Sequence, residues 1–200
     1  MSAEVSASLW EAPVLTPGAR RILEVASELF YRRGIHAVGV DTIAAESGVT
    51  KRTLYDRFGS KDHLVAEYLA ARHRRWWEHL EELIAEARAP RVLAVFDAYA
   101  DELLPADRGC AFLNAAAELP AEHPAYRLVQ EHKLAVRKRV EELLVEDLPD
   151  AEGAAETADH LMLLLEGAVA HRGIDGSRRL ARRARRIAAE LVSGDGIRRV

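Results

Sequence analysis

The glycine at position 48 constrains the fold of this 200-residue chain more than any other residue. Ile43, Ala44 and Ala45 precede it with little bulk, and Leu54 and Phe58 follow it, four positions apart on one helical face. Glycine adopts positive φ without steric cost, so it can end one helix and let a second helix leave at a steep angle. Thr50 is placed to cap that second helix through its hydroxyl group. The segment therefore predicts a helix-turn-helix.

The outward side of the predicted second helix is basic and rich in hydroxyl groups, because Leu54 and Phe58 occupy its inner side. Cationic, hydroxyl and phenolic side chains at the start of a helix can hydrogen-bond base edges and phosphates in a DNA groove. The residues predicted to contact DNA are Thr42, Thr50, Lys51, Arg52, Thr53, Tyr55, Arg57 and Lys61. The alternative is a solvated charged face, on which Arg57 pairs with Asp56 at little energetic gain.

Capping signals on both sides extend the motif to a small bundle. Thr16 and Pro17 are typical of a helix start, Gly34 is typical of a helix end, and apolar residues repeat along one face between them. Gly59 and Ser60 are expected to end the second motif helix and to cap the next helix. The sequence from 16 to 58 therefore predicts three helices around a shared apolar core.

The run from Arg20 to Leu69 resembles the TetR family of transcriptional regulators. Its most specific part is IAAESGVTKRTLYDRFGSKDHL at 43–64, which has the family's spacing of glycine, aromatic and basic residues. Gly39 departs from the pattern, because many members have at that position a threonine that caps the first motif helix and contacts phosphate. Asp41 can offset the dipole of that helix instead.

The resemblance implies a homodimeric, DNA-binding transcriptional regulator with no enzymatic activity. It implies a repressor that leaves a pseudo-palindromic operator when a small-molecule effector binds the C-terminal domain. Three alternatives stay open: a transcriptional activator of the same family, an architectural or protein-binding helical module whose helix-turn-helix is vestigial, and a helical enzyme. No nucleophile–base pair, phosphate loop or metal-binding spacing supports the enzyme. We therefore expect double-stranded DNA, an effector and a second copy of the chain as partners, and we expect no cofactor, metal or membrane.

Composition and charge agree with a globular DNA-binding protein. Apolar residues make up 49% of the chain and charged residues 30%. No apolar run approaches the ~20 residues of a membrane span, and no secretory signal pattern is visible, so we expect a cytoplasmic protein. The net charge is −4, yet residues 16–75 carry 11 Lys and Arg against 7 Asp and Glu. Residues 76–176 carry 21 acidic against 9 basic residues, so the predicted DNA-binding part keeps a local positive charge.

Helical periodicity predicts an all-α protein with about nine helices: three in the N-terminal helix-turn-helix bundle and six in a body domain. The body helices are expected at 60–88, from Pro90 to about 103, and at 110–119, 124–148, 151–172 and 177–192, with a turn at 173–177. The predicted domains are a flexible N-terminal arm at 1–15, a DNA-binding domain at 16–62 and an effector-binding and dimerisation domain at 63–200.

Two further groups of residues on the body helices are assigned a role through the resemblance. The residues predicted to line an effector cavity are Trp76, Phe96, Tyr99, Phe112, Asn114, Glu118, His132, Met162 and Glu166. The residues predicted at the dimer interface are Leu161, Leu164, Leu165, Ala168, Val169, Leu180, Ala184, Ile187 and Leu191. For both groups the alternative is packing in the chain's own core. We expect Cys110 to be a buried structural cysteine, and the arginine-rich stretch at 178–186 to be solvated or paired with the partner subunit.

Overall fold

The computed structural model describes residues 10–100, 107–148 and 153–193. Within these residues the chain forms nine α-helices and no β-strand, as the sequence predicts. They are α1 (Pro17–Arg33), α2 (Val40–Ser47), α3 (Lys51–Phe58), α4 (Lys61–Glu86), α5 (Leu93–Ala100), α6 (Ala111–Glu118), α7 (Tyr126–Asp147), α8 (Ala154–Asp175) and α9 (Arg179–Val192). None of these helices combines the length and the apolar character that crossing a membrane would require.

The described residues form two compact units. The first unit contains the residues up to Arg74 together with Ala111–His132, and the second contains Arg75–Cys110 and the residues from Lys133 onward. Helices α4 and α7 each contribute to both units. The functional division that the sequence predicts at residue 62 stays a prediction.

The core of the first unit forms where α1 packs on α2 and α3. Ile22, Ile43 and Leu54 are completely buried there, and Phe30 is 2% exposed. These are the apolar positions that the helical periodicity places on the inner faces. Burying a side chain of this size contributes roughly 1.5–3 kcal/mol. The three-helix bundle is therefore held by the residues that the sequence assigns to its core.

The helix ends of the bundle follow the predicted capping pattern. The Thr16 hydroxyl accepts a hydrogen bond from the backbone N–H of Ala19 at 3.3 Å, and the Ser60 hydroxyl accepts one from the backbone N–H of His63 at 3.0 Å. Gly34 ends α1 at φ +91. Side-chain oxygens and a positive-φ glycine thus satisfy terminal backbone groups that a helix cannot satisfy itself.

The second unit has one apolar core to which α4, α5, α7, α8 and α9 contribute. Leu80, Val95, Leu143 and Leu161 are at most 1% exposed in this core. Helix α9 turns a row of small apolar residues inward and its arginines outward, so a strongly basic helix still seals the core.

Two predicted boundaries in the second unit are wrong. Helix α8 continues through Gly173 and ends before Gly176, which has a φ of +66. A Cβ at position 173 would lie 2.8 Å from the carbonyl oxygen of Arg108, so this glycine permits a close approach and does not make a turn. Helix α5 begins at Leu93, three residues after Pro90, and the two residues between them form a turn.

Candidate nucleic-acid interface

The turn between α2 and α3 has the geometry that fixes a helix-turn-helix. Gly48 has φ +70, and its N–H donates to the carbonyl of Ala45 at 3.2 Å. The N–H of Val49 donates to the carbonyl of Ala44 at 3.0 Å. These two bonds close the C-terminus of α2 in the arrangement that a left-handed glycine permits. The direction in which α3 leaves the turn is therefore set by backbone hydrogen bonds.

The rotation of α3 about its own axis is set by its apolar side and its cap. Leu54 is completely buried and Phe58 is 7% exposed. The Thr50 hydroxyl accepts from the backbone N–H of Thr53 at 3.1 Å, and the two threonine hydroxyls lie 2.9 Å apart. The opposite side exposes Tyr55, which is 43% exposed, together with Lys51, Arg52 and Arg57. The predicted DNA-contacting side chains of α3 thus share one solvent-facing surface, with Thr53 half-buried at its edge.

The cations on this surface differ in their partners. The ammonium of Lys51 lies 2.7 Å from a carboxylate oxygen of Asp41, and that hydrogen bond raises the pKa of Lys51. Among the described residues, Arg52 has only a long contact with Asp56, at 3.8 Å. Arg57 forms no ion pair with any residue that the structure describes, so the Arg57–Asp56 pair that the sequence left open is not formed. Because these groups are exposed, solvent keeps such pairs weak and exchangeable.

Lys61 and Thr42 are placed differently. The ammonium of Lys61 donates to the carbonyl of Ile35 at 2.7 Å and lies 5.9 Å from the centre of the Phe30 ring. Burial lowers the pKa of Lys61, against the opposing effect of Asp62 and Glu118. Thr42 is half-buried in the first turn of α2. The DNA contacts predicted for these two residues stay predictions, and Lys61 would have to give up its hydrogen bond to the Ile35 carbonyl to make one.

Helix α6 is bonded to the loop that precedes the motif. The backbone N–H of His36 donates to Glu118 Oε2 at 2.9 Å, and His36 Nε2 lies 2.6 Å from the carbonyl oxygen of Glu118. A Cβ at Gly34 would stand 3.2 Å from both carboxylate oxygens. A second link joins His123 Nε2 to Asp62 Oδ1 at 3.3 Å. Glu118 is predicted from the sequence to line an effector cavity. Its carboxylate instead accepts a hydrogen bond from the loop between α1 and α2.

A buried histidine pair lies elsewhere in the first unit. His132 Nδ1 and His73 Nδ1 are 2.9 Å apart. The Phe112 ring stacks on His132, and the Trp10 ring stacks on His73, each at a centroid distance of 3.7 Å. Burial, together with Arg74, lowers the pKa of His73 to about 4. His132 and Phe112 are predicted effector residues, whereas His73 and Trp10 were missed because their contacts span about sixty residues of sequence.

The second unit contains a largely buried polar cluster, which we call the Lys133 cluster and which comprises Tyr99, Cys110, Lys133 and Glu166. Lys133 Nζ lies 2.7 Å from Glu166 Oε1, 3.3 Å from the Cys110 sulfur and 5.9 Å from the centre of the Tyr99 ring. Cys110 is 7% exposed, which confirms its predicted burial. Lys133 was not predicted from the sequence, because a lysine among helix-forming residues is typical of an exposed helix face.

The other predicted effector residues are distributed over both units. In the second unit Trp76 and Phe96 are buried, Met162 is half-buried against the same core, and the Trp76 ring lies 4.8 Å from that of Tyr99. In the first unit Asn114 is half-buried on α6.

The predicted dimer residues mostly face the core of their own chain. Leu161, Leu165, Ala168, Val169 and Ala184 are buried, and Leu164, Leu180, Ile187 and Leu191 are half-buried. The exposed face of α8 instead carries Leu163, Gly167, Ala170 and Ile174, of which Leu163 is 73% and Ile174 80% exposed.

On α9, Arg185 pairs with Asp97 at 2.6 Å, while four exposed arginines, Arg179, Arg182, Arg183 and Arg186, form no ion pair with any described residue.

Comparison with known proteins gives matches over most of the chain. The family described as bacterial regulatory proteins of the tetR family matches residues 22–68. The tetracyclin repressor-like C-terminal domain matches residues 89–188. The crystal structure of a TetR-family transcriptional regulator from Streptomyces coelicolor is similar at 32% identity and a TM-score of 0.81, covering 88% of this chain and 94% of that one. A tetr-transcriptional regulator from Streptomyces avermitilis is similar at 28% identity and a TM-score of 0.72, covering 90% and 99% of the two chains.

One curated relative matches only at the N-terminal side. The HTH-type transcriptional activator FasR of Mycolicibacterium smegmatis is 43% identical over 68 residues, which is 34% of this chain. The match covers 28% of the length of that activator. The similarity thus spans about as many residues as a helix-turn-helix domain, and it does not extend over the whole of FasR.

Proposed function

Because the chain belongs to the TetR family of DNA-binding transcriptional regulators, we propose that it is a cytoplasmic, homodimeric repressor released from its operator by a small-molecule effector. The observation that carries this proposal is the outer surface of α3. Its rotation is fixed by buried Leu54 and Phe58, and it exposes Arg52, Tyr55 and Arg57 to solvent. Two such helices, one DNA turn or a small multiple of it apart, would read a pseudo-palindromic operator.

The side chains on α3 suit two kinds of DNA contact. A guanidinium such as that of Arg52 can form two parallel hydrogen bonds with a guanine edge, a contact worth about 1–3 kcal/mol of discrimination. The hydroxyl of Tyr55 and the charge of Lys51 suit phosphate oxygens. Lys51 would exchange Asp41 for a phosphate, at a small cost in free energy because the ion pair with Asp41 is exposed to solvent. Binding should weaken as salt rises, because phosphate contacts release counterions.

The experiment starts with a DNA duplex selected by the wild-type protein from random sequence. Arg52→Ala should weaken binding to that duplex by about 10- to 100-fold, since a two-bond base contact is lost. Arg186→Ala is the matched control, because it removes the same charge from an exposed site on α9. Equal affinities for the two variants would refute the assignment of α3 as the reading helix.

Activation is the second candidate, because the similar helix-turn-helix domain of FasR belongs to an activator. The two are separated by transcription in vitro from a promoter that carries the selected site at its natural position. Repression requires that added protein lowers transcript yield, whereas a rise would establish an activator.

We place the dimer contact on the exposed face of α8. A second copy can bury Leu163 and Ile174 there, and Gly167 and Ala170 between them would let two helices approach closely. Leu163→Glu should convert the dimer to a monomer in sedimentation velocity. Leu134→Glu, at a leucine of α7 that is 61% exposed, is the control and should leave the dimer intact. A dimer that survives Leu163→Glu contradicts this placement.

For the release step we propose that Glu118 positions the helix-turn-helix. Its carboxylate and its carbonyl both bond His36, just before α2. A shift of α6 would move that loop or break the bonds, and operator affinity would change through a coupling of the two sites. Glu118→Ala should therefore lower operator affinity, and Glu118→Gln, which keeps an acceptor for the His36 N–H, should restore most of it. Equal affinity of Glu118→Ala and wild type would exclude this role.

A further inference from the structure

The Lys133 cluster places one cation and one carboxylate inside the second unit. The side chains of Lys133 and Glu166 are only 21% and 24% exposed, and their charged atoms lie 2.7 Å apart. A second N–H of Lys133 donates to the Cys110 sulfur. The three residues come from α7, α8 and the segment before α6. The cluster is therefore assembled by tertiary packing of the unit.

Two polar atoms of the cluster lack a hydrogen bond. The Tyr99 hydroxyl and Glu166 Oε2 are both shielded from solvent, and neither makes a hydrogen bond of good geometry with a described residue, although Lys133 is near enough to the phenol to lower its pKa. A buried polar atom without a partner costs about 1–3 kcal/mol, so native proteins keep few of them. Two such atoms beside a buried ion pair need an explanation, and a ligand that hydrogen-bonds to both of them would supply one.

The charge of the cluster indicates what it can accept. Burial raises the pKa of Tyr99 well above its usual value, against the opposing pull of Lys133, so the phenol is neutral at pH 7. Burial would lower the pKa of Lys133, but Tyr99, Cys110 and Glu166 together hold it above its usual value. The ion pair is therefore already neutralised, and a further net charge would enter a poorly solvated site without a counter-charge.

The free hydrogen-bonding positions are mixed in kind. Glu166 Oε2 can only accept, Lys133 can only donate, and the Tyr99 hydroxyl can do both. The Trp76 ring, 4.8 Å from the Tyr99 ring, gives the polar cluster an apolar aromatic neighbour. A matching ligand therefore has a polar end with at least one donor and one acceptor, attached to an apolar body.

We propose that Tyr99, Lys133 and Glu166 are the head-group subsite of the effector, and that they select an uncharged apolar molecule bearing a hydroxyl or a primary carboxamide. This inference rests on the proposed effector-controlled function and names the chemical class of the effector. The contact of Lys133 with Cys110 gives the subsite a route to the DNA-binding motif, because Cys110 directly precedes α6 and Glu118 is its last residue.

The first test needs no ligand. Tyr99→Phe removes a hydroxyl that makes no hydrogen bond of good geometry with a described residue, so the melting temperature of the variant should equal or exceed that of the wild type. A lower melting temperature would show that the hydroxyl is already bonded, and the subsite would be refuted.

The second test uses four probes that share a phenyl ring and differ in their polar group: benzyl alcohol, benzamide, benzoate and benzylamine. Binding of each probe at millimolar concentration is measured by ligand-observed NMR. The wild-type protein should bind the two neutral probes about tenfold more tightly than the two charged ones, as expected for one hydrogen bond to a charged group. Glu166→Gln leaves Lys133 without its carboxylate, so benzoate should become the preferred probe.

Three outcomes would overturn the inference: no binding of any probe, no preference between neutral and charged heads in the wild type, or an unchanged ranking in Glu166→Gln. Each preparation is also titrated with the selected DNA duplex. Wild-type protein that binds this duplex but shows no head-group preference refutes the subsite alone. Wild-type protein that binds no DNA specifically refutes the proposed function.

Discussion

The surface of α3 and the Lys133 cluster use the same charged groups in opposite surroundings. On α3 the cations are exposed and their carboxylate partners are few, so their charge extends into solvent and is available to a polyanion. Lys133 is largely buried and its charge is neutralised by Glu166 within 2.7 Å. An exposed cation therefore provides attraction that salt can screen, whereas a buried cation provides short-range selection.

Removing the inner cation should have the largest effect. Lys133→Met leaves the Glu166 carboxylate largely buried without its partner, and loss of one member of a buried pair typically costs about 3–5 kcal/mol. Urea unfolding measures this change. Arg57→Met on α3 is the control and should change the free energy of unfolding by less than about 0.5 kcal/mol. Similar changes in the free energy of unfolding for the two variants would contradict the difference in burial between the α3 surface and the Lys133 cluster.

The buried histidine pair predicts a second effect of burial, a free energy of unfolding that depends on pH. His73 has a pKa of about 4 in the folded protein against 6.5 for an ordinary histidine. The unfolded chain therefore takes up a proton near pH 6.5 that the folded chain refuses, and the stabilisation present above pH 6.5 is lost as the pH falls toward 4. The loss should approach about 3 kcal/mol.

Urea titrations between pH 7 and pH 4 measure this loss. His73→Gln should flatten the decline, and His160→Gln, at an exposed histidine of α8, should leave it unchanged. A wild-type decline that persists in His73→Gln would assign the pH dependence to other groups.

Two glycines test how far local sequence decides the fold. A Cβ at Gly173 would meet the carbonyl of Arg108 at 2.8 Å, so Gly173→Ala should destabilise the protein by about 1–3 kcal/mol. Gly18, in the first turn of α1, has no atom of a described residue within 4 Å of its Cβ position. Gly18→Ala should therefore stabilise the protein by up to about 1 kcal/mol through helix propensity. Thermal unfolding of both variants checks the predicted difference in sign.

The DNA-binding part was predictable because its determinants are local. The caps at Thr16 and Thr50, the turn at Gly48 and the inward positions of Leu54 and Phe58 all follow from residues within four positions of one another. These short-range rules also predicted that the body is helical, but they placed the end of α8 and the start of α5 wrongly.

The chemistry of the body was not predictable in the same way. Glu118 and His36 are 82 positions apart, and Lys133 and Glu166 are 33 apart. Periodicity marks a helix face as apolar or polar, but it does not say which face of which other helix it meets. The turn predicted at Gly173 was wrong for the same reason. The small size of this glycine permits a close contact with Arg108, and neighbouring residues in the sequence do not indicate that contact.

The most direct test of the α3 surface is site-specific crosslinking to DNA. Tyr55, which is 43% exposed on this surface, is replaced by a photoreactive phenylalanine, and the protein is irradiated with the selected duplex. We expect crosslinks at two symmetry-related positions, one in each half-site, and none when the same group stands at Leu134. Absence of crosslinks from position 55 in a protein that still binds the duplex would contradict the assignment of α3 as the reading helix.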